Sequence, residues 1–464
     1  MADIEGLPYW TVRFDADGDP DGRLRQELLT ELPSRGVQDL FVFSHGWNNS
    51  PQVADLLYRR FFALVAAELG ELSAPRPRVG VLGVVWPSMR WLDEAIPDFA
   101  AAESGGAASA APAAEEDPVT ALKAVFPAPA QQDALERMAH LLREQPEDTA
   151  ALVEFQRLMA VLGGTDADAE DAGEAGLVQA DPLDVSDGMA RAVEAVPSAQ
   201  SEGGAASVGL AGAALPDDEA GAAGLRDLVS RRWEGAKQAL RQFTYFQMKR
   251  RAGVVGERGL GPLCTAVRAA APGVRLHLVG HSFGARLVSF ALKGLPGGPE
   301  PAIASLTMLQ GAFSHFAFAD RLPFRDEGGA LAGHADRVAG PIVVVHSVHD
   351  TAVGALYPAA SLASRDDAAG IEDLLYRWGA MGHDGAQAVD AASSTLEPGD
   401  RPVVADGARF LNVDAGAVVR HGPPPSGAHS DVFHRELARL VLSAARIGGP
   451  PGAAEPVRVE AGEA

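Results

Sequence analysis

The sequence predicts an α/β chain: a mostly parallel central sheet with helices on both faces, carrying a long, partly disordered acidic insertion. Three observations carry this reading. Short apolar runs without polar alternation, as expected of strands buried on both faces, recur between helix-like segments. One run, starting at Val274, enters the turn Gly280-His281-Ser282-Phe283-Gly284 and leaves along the helix-like Ala285–Phe290. Between the two α/β stretches, residues 101–223 are dominated by Ala, Gly, Asp, Glu and Pro.

Residues 1–100 form the first part of the core. Tyr9–Phe14 predicts a strand and Gly22–Leu32 a helix. Asp39–Ser44 is an apolar strand ending at His45-Gly46-Trp47-Asn48-Asn49. Ser50-Pro51 then supplies an N-cap and an N1 proline for a helix to about Leu69. Val79–Trp86 is a further strand, stopped by Pro87.

Within the insertion 101–223, the tracts 101–117 and 164–223 read as disordered or loosely held. Gln131–Arg143 and Glu147–Leu162 carry apolar residues at helical spacing, a hairpin turning at Pro146. It either caps the active site or takes no part in the chemistry.

The second part of the core, residues 224–446, opens with helices over Leu225–Ala252 and Glu257–Ala271. Strands follow at 274–280, Ile303–Leu309, Pro341–His346 and Arg409–Val419, and a helix over Asp431–Ala445 closes the core. Residues 447–464 read as a disordered tail.

The net charge of −23 argues against nucleic acid or an anionic membrane as partner. Its location says more, because residues 101–223 hold 23 Asp and Glu against five Lys and Arg. No apolar stretch approaches the length of a bilayer span, so no stable membrane insertion is expected. The N-terminus lacks a basic and an apolar signal region, and Cys264 is the single cysteine. A cytoplasmic location is therefore expected. Walker A, HExxH and Cys/His metal patterns are missing, so neither cofactor nor metal is expected.

A serine between glycines on a strand-to-helix turn has its hydroxyl lifted clear of the sheet, which makes Ser282 the candidate nucleophile. Serine needs a base, and the base needs an acid to fix its tautomer. In an open α/β sheet such groups gather past the carboxyl ends of the strands. Asp350, just past the strand 341–346, is the acid that fits, with Asp320, Asp384 and Asp414 as rivals. His429 fits as base, since it lies between the last strand and the last helix, where Ser430 can serve as N-cap. His434 would sit inside that helix, His421 follows the strand too closely, and His383 is the remaining rival. The N–H groups of Phe283 and Trp47 are the candidate oxyanion donors. Trp47, Trp86, Trp91, Phe313 and Phe316 fall near strand ends, placed for an acyl pocket or for core packing.

Phe43-Ser44-His45-Gly46-Trp47-Asn48-Asn49-Ser50, Val85-Trp86-Pro87-Ser88 and Val279-Gly280-His281-Ser282-Phe283-Gly284 together resemble the α/β-hydrolase superfamily. The nearest pattern is a bacterial branch with an HGYN-like oxyanion loop. The resemblance spans roughly residues 35–95 and 225–445. It implies the α/β-hydrolase fold with eight strands or a close variant, a Ser-His-Asp triad, and hydrolysis of an ester, thioester or amide. The acidic insertion is unusual for the family, as are the 79 residues from Asp350 to His429. The expected activity is that of a metal-independent carboxylesterase or lipase-like enzyme acting on a small-molecule or lipid-like ester. Two other readings stand beside it: a catalytically silent hydrolase-fold binding protein, and a lipolytic effector exported by a non-classical route.

Overall fold

The computed structural model describes residues 2–72, 77–88, 119, 122–123, 125–162, 181–187, 222–298, 300–352, 379–404, 407–422 and 426–448. The tract 101–117, most of 164–223, Trp91 and the tail beyond 448 lie outside them.

The first part of the core contributes β1 (Ala2–Ile4), β2 (Leu7–Arg13), α1 (Gly22–Glu31), β3 (Asp39–Ser44), α2 (Pro51–Glu71) and β4 (Val79–Val85). The insertion contributes α3 (Pro129–Glu144) and α4 (Thr149–Leu162). The second part opens with α5 (Ala222–Val254), which passes through a π-helical turn into α6 (Gly261–Ala270). Then come β5 (Arg275–His281), α7 (Phe283–Phe290), β6 (Ser305–Leu309) and β7 (Ile342–His346). The one-turn α8 (Met381–Asp384), β8 (Ala391–Thr395), β9 (Phe410–Asp414) and α9 (Arg435–Ala444) complete it.

The strands form a nine-stranded sheet in the order β1-β2-β4-β3-β5-β6-β7-β9-β8. Only β1 pairs antiparallel. This is an α/β fold. β3 and β4 are buried at every position, which explains the apolar run Leu40–Phe43 and the absence of polar residues from β4. Side chains alternate across the sheet. Phe41, Phe43, Val279 and Val343 meet Leu57, Phe61 and Phe62 of α2 and Leu437 and Val441 of α9. Val42, Leu278, Met308 and Val344 join the opposite cluster with α1 and α5–α7.

That second cluster also takes in Leu135 and Met138 of α3 and Leu152 and Phe155 of α4. The insertion's hairpin thus shares the core of the sheet. Trp233 of α5 fastens it, with its ring edge-on to Phe155 at 5.8 Å and its indole N–H donating to Pro146 O at 3.1 Å.

Several expectations need correction. Two edge strands, β1 and β8, were not anticipated from the sequence, and with them the sheet has nine strands. Within the tract expected to be loosely held, residues 182–187 are helical. Val185 and Ser186 are buried there, and Asp187 pairs with Arg232 of α5. The closing helix starts at Arg435, not Asp431, and Ser430 lies in a short 3₁₀ turn rather than capping it. Asp431 cannot continue that helix in this arrangement. Its carboxylate accepts the N–H groups of Arg420 and His421 and pairs with His434, which occupies the N-cap position. Among the described residues no helix is long and apolar enough to cross a membrane.

Candidate active site

The parallel strands β3, β5, β6 and β7 end on one edge of the sheet, and the loops that follow them meet there. Ser282 stands between β5 and α7 with φ 58° and ψ −124°, a strained conformation for a residue with a side chain. The bend is locked by three backbone hydrogen bonds: Ser282 N–H to Leu309 O, and the N–H groups of Ala285 and Ala312 to Ser282 O. The flanking glycines are required by close approach. A Cβ on Gly280 would lie 2.4 Å from Gly284 O, and one on Gly284 would lie 2.1 Å from Ser44 O.

The structure brings Ser282, His429 and Asp350 together. His429 Nε2 lies 2.8 Å from Ser282 Oγ, and His429 Nδ1 lies 2.8 Å from Asp350 Oδ2. The carboxylate accepts, so Nδ1 carries the ring proton and Nε2 is free to accept from the hydroxyl. Asp350 is fully buried and Ser282 nearly so. The base and acid loops are also stitched by their backbones, with Ala428 N–H donating to His349 O at 2.9 Å and Asp350 bridged to Gly427.

Three of the rivals are engaged elsewhere. Asp384 accepts from His315 at 2.9 Å, Asp414 accepts Gly416 N–H, and His434 pairs with Asp431. His383 is part-exposed beside Asp384.

The loop after β3 closes over the serine. A Cβ on Gly46 would lie 2.6 Å from Ser282 Cβ, so only glycine fits there. Gly46 O accepts from Asn49 Nδ2 at 3.2 Å and lies 2.9 Å from His45 Nδ1. Because the peptide is planar, fixing this carbonyl also fixes the direction of the Trp47 N–H. His45 is itself braced. Its N–H donates to Tyr58 Oη, its carbonyl accepts the Trp86 indole N–H at 2.9 Å, and its ring stacks on Trp86. Burial pushes the His45 imidazole down to about 4, so it is neutral. Asn48, at φ 61°, makes the turn, and Ser88 exchanges hydrogen bonds with the backbone of Asn49. Phe283 opens α7, so its N–H precedes the first intrahelical bond.

Trp47, Tyr245 of α5 and Phe283 form an aromatic wall, with ring centroids 5.5 Å apart for Trp47–Tyr245 and 4.7 Å for Tyr245–Phe283. Trp86, Phe313 and Phe316 are core residues. Cys264 is buried, which pushes its thiol up to about 12.

Sequence reasoning missed three features of this site. His281 directs its ring to the carbonyl of His429. Asn49 and Trp86 brace the loop after β3, and both stood in recognised motifs whose hydrogen bonds depend on folding. Gln310, just past β6, holds φ 44°, and both its amide atoms are buried without a hydrogen-bond partner among the described residues.

A second Ser-His-Asp chain sits at the opposite edge of the sheet. His277 lies 2.8 Å from Ser305 Oγ and 2.9 Å from Asp39 Oδ1. There Arg275 also grips Asp39, at 2.6 Å. Burial raises the Asp39 carboxyl, but the bonds from His277 and Arg275 outweigh it and hold the carboxyl low. Burial also keeps His277 neutral. Ser305 is buried within a regular strand. Location therefore separates the two chains: one is a packed structural tie, the other lies on a strained bend under a glycine loop.

Among the described residues no group of three or more His, Cys, Asp or Glu could hold a metal ion. Compared with known proteins, the chain matches no family model, no curated protein and no solved structure.

Proposed function

We propose that this protein is a serine hydrolase of the α/β-hydrolase type that cleaves a carboxylic ester, as an esterase or lipase-like enzyme. The observation that carries the reading is the hydrogen-bonded chain Ser282–His429–Asp350, built on a strained strand-to-helix bend at the carboxyl edge of the sheet. Ser282 Oγ attacks the acyl carbon while His429 Nε2 takes its proton. The N–H groups of Phe283 and Trp47 receive the oxyanion. Collapse of the tetrahedral adduct breaks the ester C–O bond, and the leaving alkoxide takes the proton from Nε2. A water then repeats the sequence in reverse, releasing the carboxylic acid and restoring the serine hydroxyl. Asp350 holds the tautomer and balances the imidazolium in both halves.

The acyl chain would lie against Trp47, Phe283 and Tyr245. Because Tyr245 belongs to α5, which also anchors the hairpin, we read α3–α5 as a roof over the site. A cytoplasmic setting fits the single buried thiol.

The test is labelling with a fluorophosphonate probe, followed by turnover of p-nitrophenyl esters of increasing acyl length. Wild type should label at one serine. Ser282→Ala should not label, should keep its fold, and should lose on the order of 10⁴–10⁶ in kcat. Equal turnover by Ser282→Ala rules the reading out.

A further inference from the structure

His281 belongs to the nucleophile turn, yet its ring faces the base. Its Nε2 lies 2.7 Å from the backbone carbonyl of His429, and the two imidazole centroids are 5.1 Å apart. A carbonyl can only accept, so His281 Nε2 carries the proton. The other ring nitrogen, Nδ1, is buried and has no hydrogen-bond partner among the described residues. The ring thus makes one hydrogen bond, and it spends it on the residue that stands beside Ser282.

Geometry limits what this bond can do. His281 touches neither reacting atom, so it acts through another residue. The His429 side chain is held by Asp350 at Nδ1 and meets Ser282 at Nε2. Its main chain is held to the acid loop by the neighbouring Ala428 N–H to His349 O and, within its own loop, by His429 N–H to Ser426 O. Neither of those ties reaches the nucleophile strand. The His281 bond does, and it does so one residue before Ser282.

We infer that His281 is a positioning residue: by donating Nε2–H to the His429 carbonyl, it fixes the base's backbone to the nucleophile's strand and so sets the Ser282–His429 separation. This inference rests on the serine hydrolase reading. Misplacing a reacting group by about 1 Å costs on the order of 100-fold in rate, so a single backbone tie can matter this much. The ring must also be uncharged, since a second imidazolium beside His429 would oppose the charge that develops there. Burial first, and then the neighbouring His429, push His281 down to about 3. The groups facing its ring are His429, and His45 from the oxyanion loop.

The test uses three substitutions in the full chain, assayed beside Ser282→Ala. His281→Phe keeps a ring and removes the donor. His281→Gln places an amide N–H at the reach of Nε2, and His281→Asn places one only at the reach of Nδ1. With a short p-nitrophenyl ester, His281→Phe and His281→Asn should lose about 10–100-fold in kcat with KM within about two-fold. His281→Gln should recover most of that loss. Circular dichroism and melting temperature identify any variant that has not folded, and the Gln–Asn contrast is read between folded proteins. Wild-type kcat in His281→Phe, or equal losses in Gln and Asn, overturns the inference and leaves Ser282 as nucleophile. Turnover that does not depend on Ser282 takes down both.

Discussion

Ser282, Gln310 and Asn48 all hold positive φ values without being glycine, and all three border the same site. Strain of this kind costs roughly 1–3 kcal/mol per residue and persists only where the surroundings enforce it. At Ser282 the enforcing parts are the glycines, which is why the strained serine turn was legible in sequence: Gly280 and Gly284 leave no room for a side chain. The enforcing hydrogen bonds of His281 and Asn49 were not legible, because a side chain's partner is set by the fold and not by its neighbours in sequence. Gly284→Ala should therefore destabilise by about 2–3 kcal/mol or more, since its Cβ would lie 2.1 Å from Ser44 O. A shifted urea midpoint with an unchanged slope would register it. Gln310 points the other way. A buried amide without partners costs about 1–3 kcal/mol, so Gln310→Met should raise the urea midpoint. A lower midpoint would mean that the amide is bonded after all.

The central strands were readable because both their faces are buried, which leaves an apolar run with no polar alternation. β8 escaped notice for the opposite reason. Ala391–Thr395 is a half-exposed edge strand of small and polar residues, and its pairing with β9 supplies what its sequence does not. Residues 182–187 were hidden in the same way, since Val185 is buried through the tertiary cluster it joins and not by its neighbours in sequence. The end of the chain misled through Asp431, a good cap by residue type whose carboxylate is already committed to Arg420, His421 and His434. The two edges of the sheet offer a direct comparison. Ser305→Ala removes a hydroxyl with the same imidazole distance as Ser282→Ala. It should leave ester turnover and probe labelling unchanged, while losing about 1 kcal/mol of stability with the hydrogen bond. Loss of labelling in Ser305→Ala would show that the wrong serine has been chosen.

At the scale of the whole molecule, buried neutral imidazoles tie stability to pH. His45 and His281 sit at about 4 and about 3 in the folded protein, against 6.5 for the free side chain. In the window between, the unfolded chain binds protons that the folded chain refuses. Their contribution is therefore complete above pH 6.5 and is lost as pH falls, by up to about 1.4 kcal/mol per pH unit for each histidine. Ordinary carboxylates have barely begun to titrate at about pH 5, so the urea midpoint should already be lower at pH 5 than at pH 6.5. His45→Gln should flatten that slope, and an unchanged slope would place the ring in water. The order of the sheet has a consequence of another kind. β1, β2, β4 and β3 all come from the first part of the chain, the other five strands from the second, and one seam, β3 against β5, joins them. The glycine loop lies on one side of that seam, and Ser282, Asp350 and His429 lie on the other. Two pieces severed within 101–117 should therefore reassemble when co-expressed, each covering the other's raw sheet edge. Whole chains can trade halves across the same seam, giving a reciprocal dimer with two composite sites. A Gly46→Val chain refolded together with a Ser282→Ala chain would then regain hydrolysis that neither possesses alone, because one of the two composite sites inherits an intact part from each parent.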